Sequence, residues 1–348
     1  MKNKFLIAVF VVMAFIAAYA IFNKKSTTII GDLKDFAVSD TASIDKLFLV
    51  DRDGNKSLLT RESSSKWIVN GKHKARQEAI NILLFTIKSL EVRSPVGKNL
   101  YNNTMKLMAS RSTKIEIYQK GNLVKTYYVG HPTMDNLGTF MYIEKSTVPY
   151  IMHIPGFNGF LSTRYLAKES EWRERFVFHI DPRTITKIEI LNTTKQDRSF
   201  IIQRNADSTY NVNYRMDRNL KASYDIVKLR KYLEVFSNTN FERIDNSIKK
   251  EQADSILKTN PFAVVAVTND LNYTKTIRLY RKPVTASSRN QIDEKTGKPL
   301  PFDLDRFYTR IDGSEEWFIC QYFHFDRVMI APEVLAPSSR LSSENNRY

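Results

Sequence analysis

Cysteine is nearly absent from this 348-residue chain, with Cys320 the single example. One thiol excludes an intramolecular disulfide framework and any multi-cysteine zinc or iron–sulfur site. It also leaves no cysteine near the leader to carry a lipid. Histidine is scarce: His73, His131, His153, His179 and His324 are the five present. No two stand at a metal-ligand spacing such as H-x-x-x-H, so ordinary surface or hydrogen-bonded histidines are expected, and no metal. The sequence has no G-x-S-x-G elbow, no G-x-x-x-x-G-K-[ST] phosphate loop and no G-x-G-x-x-G. Catalytic residues, cofactors and nucleotide use are therefore not expected. Acidic residues are in deficit, 37 against 53 Lys plus Arg, which leaves a net charge of +16.

What is present first is a leader. Lys2 and Lys4 precede an uncharged run, Phe5 to Phe22, that ends at Asn23-Lys24-Lys25. As a helix this run spans roughly 27 Å, close to the hydrocarbon thickness of a bilayer. Ala18-Tyr19-Ala20 also fits a signal-peptidase pattern, but the apolar stretch exceeds the usual h-region and continues through Ile21 and Phe22. The expectation is an uncleaved anchor over residues 1–25, in a bacterial inner membrane, with the bulk of the chain periplasmic. Cleavage after Ala20 is the rival. Without the four leader lysines the charge falls from +16 to +12, so the basic character belongs to the soluble part. Its densest group, Arg164, Lys168, Arg173 and Arg175, is interleaved with Glu169, Glu171 and Glu174. This reads as a solvated basic surface, and no nucleic-acid partner is expected.

The soluble part repeats itself. Asp40 to Leu49 matches Asp181 to Ile190, and Trp67-Ile68-Val69-Asn70 finds Tyr210-Asn211-Val212-Asn213. A helical pattern follows in each copy, with Ile80, Leu83, Leu84, Ile87 and Leu90 on one face, then Ile226, Leu229, Leu233 and Phe236. Alternating strand patterns come next, around Ile115 and Ile117 and around Val265 and Val267. Lys125-Thr126 and Lys275-Thr276 keep the same separation. Pro283 to Pro301 reads as a long hairpin loop, and Gly121-Asn122 as a tight turn. The order predicts an α+β fold: a tandem duplication of a mostly antiparallel, β-rich domain with helices on one face of the sheet, after one transmembrane helix. The expected organisation is a first repeat over 26–155, a connector over 156–180, a second repeat over 181–330 and a disordered tail over 331–348.

Two local features read as structural. Asp51-Arg52-Asp53-Gly54-Asn55 starts like a calcium loop, but its glycine stands at position four instead of six, so a hairpin turn is expected. Cys320 lies among Phe318, Ile319, Tyr322 and Phe323 and reads as a buried, inert thiol. The most individual stretch runs from His153 to Arg175. It spends Phe157, Phe160, Tyr165 and Trp172 beside Arg164, Arg173 and Arg175, the residue types that dominate binding hot spots. These seven form the candidate interaction surface. The same aromatics also suit packing of the two repeats against each other.

The opening "SDTASIDKLFLVDRDG", the segment "KWIVNGKHKAR" and the run "YYVGHPTMDNLGTFMYI…YIMHIPGFNGFLSTRY" resemble an uncharacterised family of Bacteroidota envelope proteins, whose domain is one of unknown function, family four-three-four-zero. Related domains occur beside gliding-motility-type ABC transporter components, so the resemblance implies an accessory role at the inner membrane and carries no catalytic residues over. The leading expectation is a non-enzymatic, membrane-anchored scaffold or accessory subunit that contacts another envelope protein. The alternative is a binding module for anionic lipid or cell-wall polymer, and a hydrolase comes third. A flat apolar patch favours the scaffold, and a concave groove lined by Lys and Arg favours the ligand module.

Overall fold

A computed structural model of the chain describes residues 35–214, 221–286, 288 and 292–337. The expected span Phe5–Phe22 lies outside them. Among the described residues no helix is long and apolar enough to cross a membrane. The chain divides into two compact units between Glu174 and Arg175.

In the first unit the strands are β1 (Ile44–Val50), β2 (Lys56–Ser63), β3 (Lys66–Val69), β4 (His73–Lys74), β5 (Glu91–Pro95), β6 (Thr113–Gln119), β7 (Asn122–Pro132), β8 (Thr139–Ile143) and β9 (Tyr150–His153). Helix α1 (Gln77–Ser89) precedes β5 and α2 (Lys98–Arg111) follows it. The strands form one nine-stranded sheet in the order β4-β3-β2-β1-β6-β7-β8-β9-β5. Each neighbouring pair is antiparallel. In β1, strict alternation would turn Ile44 away from Leu47 and Leu49. A β-bulge between Ile44 and Lys46 corrects the phase, and all three become buried together. The β6–β7 turn falls one residue earlier than the sequence suggested, on Lys120 and Gly121. Both have positive φ, 50° and 79°, as a type I′ hairpin requires.

Helices cover both faces of the sheet, not one. Ile80, Leu83 and Ile87 of α1 pack on the face that carries Leu47, Ile117 and Tyr127. Met108 of α2 packs on the other, with Val96, Phe140 and Tyr128. Successive residues of a strand point to opposite faces, so the apolar pair Tyr127-Tyr128 gives both faces something to bury.

The second unit has β10 (Phe176–Phe178), β11 (Ile185–Asn192), β12 (Phe200–Arg204), β13 (Tyr210–Tyr214), β14 (Lys221–Ala222), helix α3 (Ile226–Glu234), β15 (Thr239–Asn240), β16 (Arg243–Ile244), helix α4 (Lys250–Leu257), β17 (Ala263–Asn269), β18 (Thr274–Pro283), β19 (Phe302–Ile311) and β20 (Phe318–Gln321). Its nine-stranded sheet runs β14-β13-β12-β11-β17-β18-β19-β20-β16, the first unit's order strand for strand. The correspondence extends to register. Ile44 faces Gln119 and Ile185 faces Asn269, each just before a bulge, while Leu47 faces Ile117 and Ile188 faces Val267. Again two faces are covered, Leu229 and Leu233 of α3 on one and Ile256 of α4, with Tyr280, Tyr308 and Trp317, on the other. Pro283 pairs with Phe302 at the base of the long hairpin loop.

Two expected boundaries shift. The stretch read as a connector from residue 156 belongs to the first unit as far as Glu174, because Leu161, Tyr165 and Trp172 complete that unit's core. The tail read as disordered from Ala331 begins ordered. Pro332–Leu335 forms a 3-10 turn whose Leu335 is buried in the second core.

Candidate functional site

After its last strand, each unit returns across its own helix as a strap. In the first unit the strap runs from Ile154 to Glu174. The Arg76 amide at the start of α1 donates to the Trp172 carbonyl at 2.7 Å, and Arg76 Nη2 donates to the Glu171 carbonyl at 3.0 Å. The Ser57 hydroxyl donates to the Ala167 carbonyl at 2.8 Å, and the Leu161 amide donates to Thr139 Oγ1 at 2.7 Å. Trp172 Nε1 donates to the Leu166 carbonyl at 2.7 Å, which satisfies the one polar atom of a buried indole. At the centre of the core the Tyr127 and Tyr165 hydroxyls meet at 3.1 Å. Burial pushes both phenols up from their ordinary value, so each stays protonated.

Between the strap and the outer face of α1 lies a cleft of 820 Å³. Ile82, Phe85 and Leu166 form its apolar wall and remain 50%, 56% and 39% exposed. Arg76 and Arg164 bring cations, and Glu78 and Glu171 bring carboxylates. Arg164 is fixed in place: its Nη1 donates to Thr86 Oγ1 at 2.9 Å, and its guanidinium stacks 4.2 Å from the Phe157 ring centroid. Partial burial pulls it down from the ordinary arginine value, and it remains a cation at neutral pH.

Of the seven residues expected to form an interaction surface, Arg164 and Trp172 line this cleft. Phe157 stacks on Arg164, and Phe160 is half-buried. Tyr165 and Trp172 are core, not surface, because an aromatic ring aimed under the strap is worth more buried against α1 and the sheet than in water. Arg173 reaches Glu169 at 3.6 Å. Arg175 belongs to the second unit, where its carbonyl accepts from the Phe241 amide. Sequence reasoning missed Arg76, Glu78 and Leu166 of this site and, with them, Ile82 and Phe85. The signal of the last two was present: they are apolar positions of α1 lying off the stripe Ile80, Leu83, Leu84 and Ile87.

The second unit repeats the arrangement. Its strap runs from Tyr322 to Ala336, and the Asp225 amide at the start of α3 donates to the Leu335 carbonyl at 2.8 Å, as Arg76 does to Trp172. Lys228 Nζ donates to the Ala336 carbonyl at 2.7 Å, and the Tyr232 hydroxyl donates to the Val328 carbonyl at 2.9 Å. The cleft here is 510 Å³, walled by Val235, Ile330 and Val334, with Lys228, Lys231 and Arg327 against a single acid, Glu333.

The other motifs resolve as structure. Asp51 Oδ1 accepts from the Asp53 and Asn55 amides at 3.0 and 2.9 Å, which closes the β1–β2 turn. Cys320 is buried and accepts from the Thr309 hydroxyl at 3.2 Å, and burial pushes its thiol up to about 12. His73 lies 3.4 Å from Glu169, and His179 stacks on Phe176. Among the described residues no three His, Cys, Asp or Glu side chains gather as metal ligands.

No curated protein matches this chain. A family model covers more than half of it, from β3 of the first unit to the residues just before β17 of the second, and by that match over residues 67–260 the chain belongs to the family Domain of unknown function (DUF4340).

Proposed function

We propose that this protein is a non-enzymatic component of the bacterial envelope, held in the inner membrane by Phe5 to Phe22, whose periplasmic units bind anionic envelope material and serve a larger membrane complex. The observation that carries the reading is the apolar-walled, cation-bearing cleft found at the same topological place in both units, net basic in the second. Such a concavity suits a ligand, since ligand sites are mostly apolar hollows of roughly 300–1,000 Å³ with a few placed polar groups. The second reading, a scaffold that docks another envelope protein, is supported by a different feature. The β6–β7 hairpin tip exposes Leu123 and Val124, and the matching β17–β18 tip exposes Leu271 and Tyr273. Apolar tips of this kind suit a protein partner.

The test uses the full chain held in a non-ionic amphipol and measures its recruitment to vesicles. Vesicles with about one third phosphatidylglycerol should recruit it in a salt-dependent way, and purely zwitterionic vesicles should not. Equal recruitment to both would overturn the ligand reading. Retention of the native chain in membranes after alkaline carbonate washing tests the anchor, and a mature chain that begins at Ile21 would overturn it.

A further inference from the structure

Resting on the ligand reading above, we infer that each unit holds one single-chain phosphate amphiphile, of the lysophospholipid type, in the cleft beneath its strap. The chain would lie along the outer face of α1 or α3, and the phosphate at the cationic residues.

Three observations carry this. The clefts are built twice on one plan: the residue that starts each helix, Arg76 or Asp225, hands its amide to the strap, and a basic side chain crosses to a strap carbonyl, from Arg76 itself in the first unit and from Lys228, three residues further on, in the second. A surface hollow left by chance packing has no reason to recur on the second copy of a topology. The first cleft has an apolar wall where a helix facing water should be polar, and in the second the apolar wall is made by the strap and by Val235 just past α3. Ile82 and Phe85 stand outward on α1, and Val334 faces α3 at 54% exposure. Such a wall is stabilised by each methylene of a bound chain that it removes from water. Both clefts offer cations to a phosphate, and the second has a net positive charge. In the second cleft Lys228, Lys231 and Arg327 face one acid, and in the first Arg76 and Arg164 are balanced by Glu78 and Glu171.

The two clefts should therefore differ. The second selects the phosphate head strongly, while the first, with equal cations and carboxylates, holds the chain and discriminates less among heads. A polyanion without a chain satisfies the cations of either cleft and leaves its apolar wall wet, so polymer alone is the poorer fit.

The experiment is equilibrium dialysis of dodecyl phosphate, below its micelle concentration, against the full chain in a non-ionic amphipol. Two saturable sites per chain are expected. Ile82→Asp and Val334→Asp, both at exposed positions that folding tolerates, should each reduce the count to one, and together to none. Dodecyl phosphate brominated at its terminal carbon should quench Trp172, and Ile82→Asp alone should abolish that quenching. Dodecyl maltoside should displace the phosphate from the Ile82→Asp variant, which keeps only the second cleft, at least tenfold less well than unlabelled dodecyl phosphate. No saturable binding, a count unchanged in both variants, or equal displacement by the maltoside would each overturn the inference. If anionic vesicles still recruit the chain while dodecyl phosphate fails to saturate, this inference falls and the ligand reading stands. If vesicle recruitment fails as well, both fall.

Discussion

Tyr127 in the first unit and Ile277 in the second occupy the same place. Each faces the corresponding residue of the next strand, Ile115 or Val265, and each is fully buried. Their chemistry differs, and the difference sets how each strap is held. The Tyr127 hydroxyl needs a partner in the core and finds it in Tyr165, so the first strap is tied to the sheet. Ile277 needs none, and the second strap is tied to its helix through Tyr232 and Val328. The start of the helix differs too. Asp225 caps α3 by accepting from the Val227 and Lys228 amides, whereas Arg76 at the same point of α1 gives no side-chain cap. One topology thus tolerates two internal solutions, provided that the buried hydroxyl each one brings is matched locally.

The comparison breaks most visibly at Trp172. Trp172→Ala should lower the stability of the first unit by about 3–5 kcal/mol, because it empties a large buried site. Calorimetry that shows a loss below 1 kcal/mol would return this residue to the surface role first expected of it.

A slightly smaller effect belongs to the second unit alone. Lys282 and Asp303 form an ion pair at 3.1 Å in which the side chains are 4% and 3% exposed. Burial pushes the Asp303 carboxyl up, but the Asp305 amide, the Ser288 hydroxyl and the Lys282 ammonium outweigh it and hold the group below its ordinary value. Lys282→Met should cost about 3 kcal/mol by leaving a buried carboxylate without its counter-ion. The sign of the pH effect follows from the lowered carboxyl value. The stabilisation is complete above the unfolded value of 3.8 and is lost as pH falls through the lower folded value. Acid unfolding monitored in the wild type and in Asp303→Asn should show a steeper acid limb in the wild type.

Tyr127→Phe should cost about 1–2 kcal/mol, since it leaves the Tyr165 hydroxyl buried without a partner. Adding Tyr165→Phe removes the orphan, so urea titration of the double variant should show less than the summed loss. Additive losses would mean that the hydroxyl pair is not coupled. The smallest effect is the cap. Asp225→Ala should destabilise by about 1 kcal/mol, and Arg76→Ala should cost nothing through capping.

Much of this architecture was legible in the sequence, because the two copies kept their motifs in one order, with the strand patterns around Ile115 and Lys125 recurring at one common separation. That order became the shared strand order, and β1 with β6 and β11 with β17 pair in the same register. The bulge after Ile44 was not legible, since an extra residue in a strand leaves no mark in composition. Nor was the placement of β5 at the far edge beside β9, which local pattern cannot specify. The clefts were half legible. Arg164 and Trp172 stood out as a hot-spot pairing, but Arg76, Ile82 and Phe85 lie some 80 residues earlier and join them only once the strap has folded back. Aromatic residues near arginines look alike in a sequence whether they are core or contact. Depth separates Tyr165 from Phe157, and depth is a property of the fold.

The strap carries a consequence for how the chain is made. Synthesis delivers the sheet first and its closing segment last, so Leu47, Ile117 and Tyr127 lack their final cover until Trp172 has emerged. The first unit cannot complete its core before residue 174, and until then it presents the kind of open apolar face that draws aggregation. A fragment trimmed to residues 67–260 suffers permanently what the nascent chain suffers briefly: it lacks β1 and β2 of one sheet and β17 to β20 of the other. Expression of this protein should therefore be planned around the two closing segments, with the first unit carried through Glu174 and the second through Ala336.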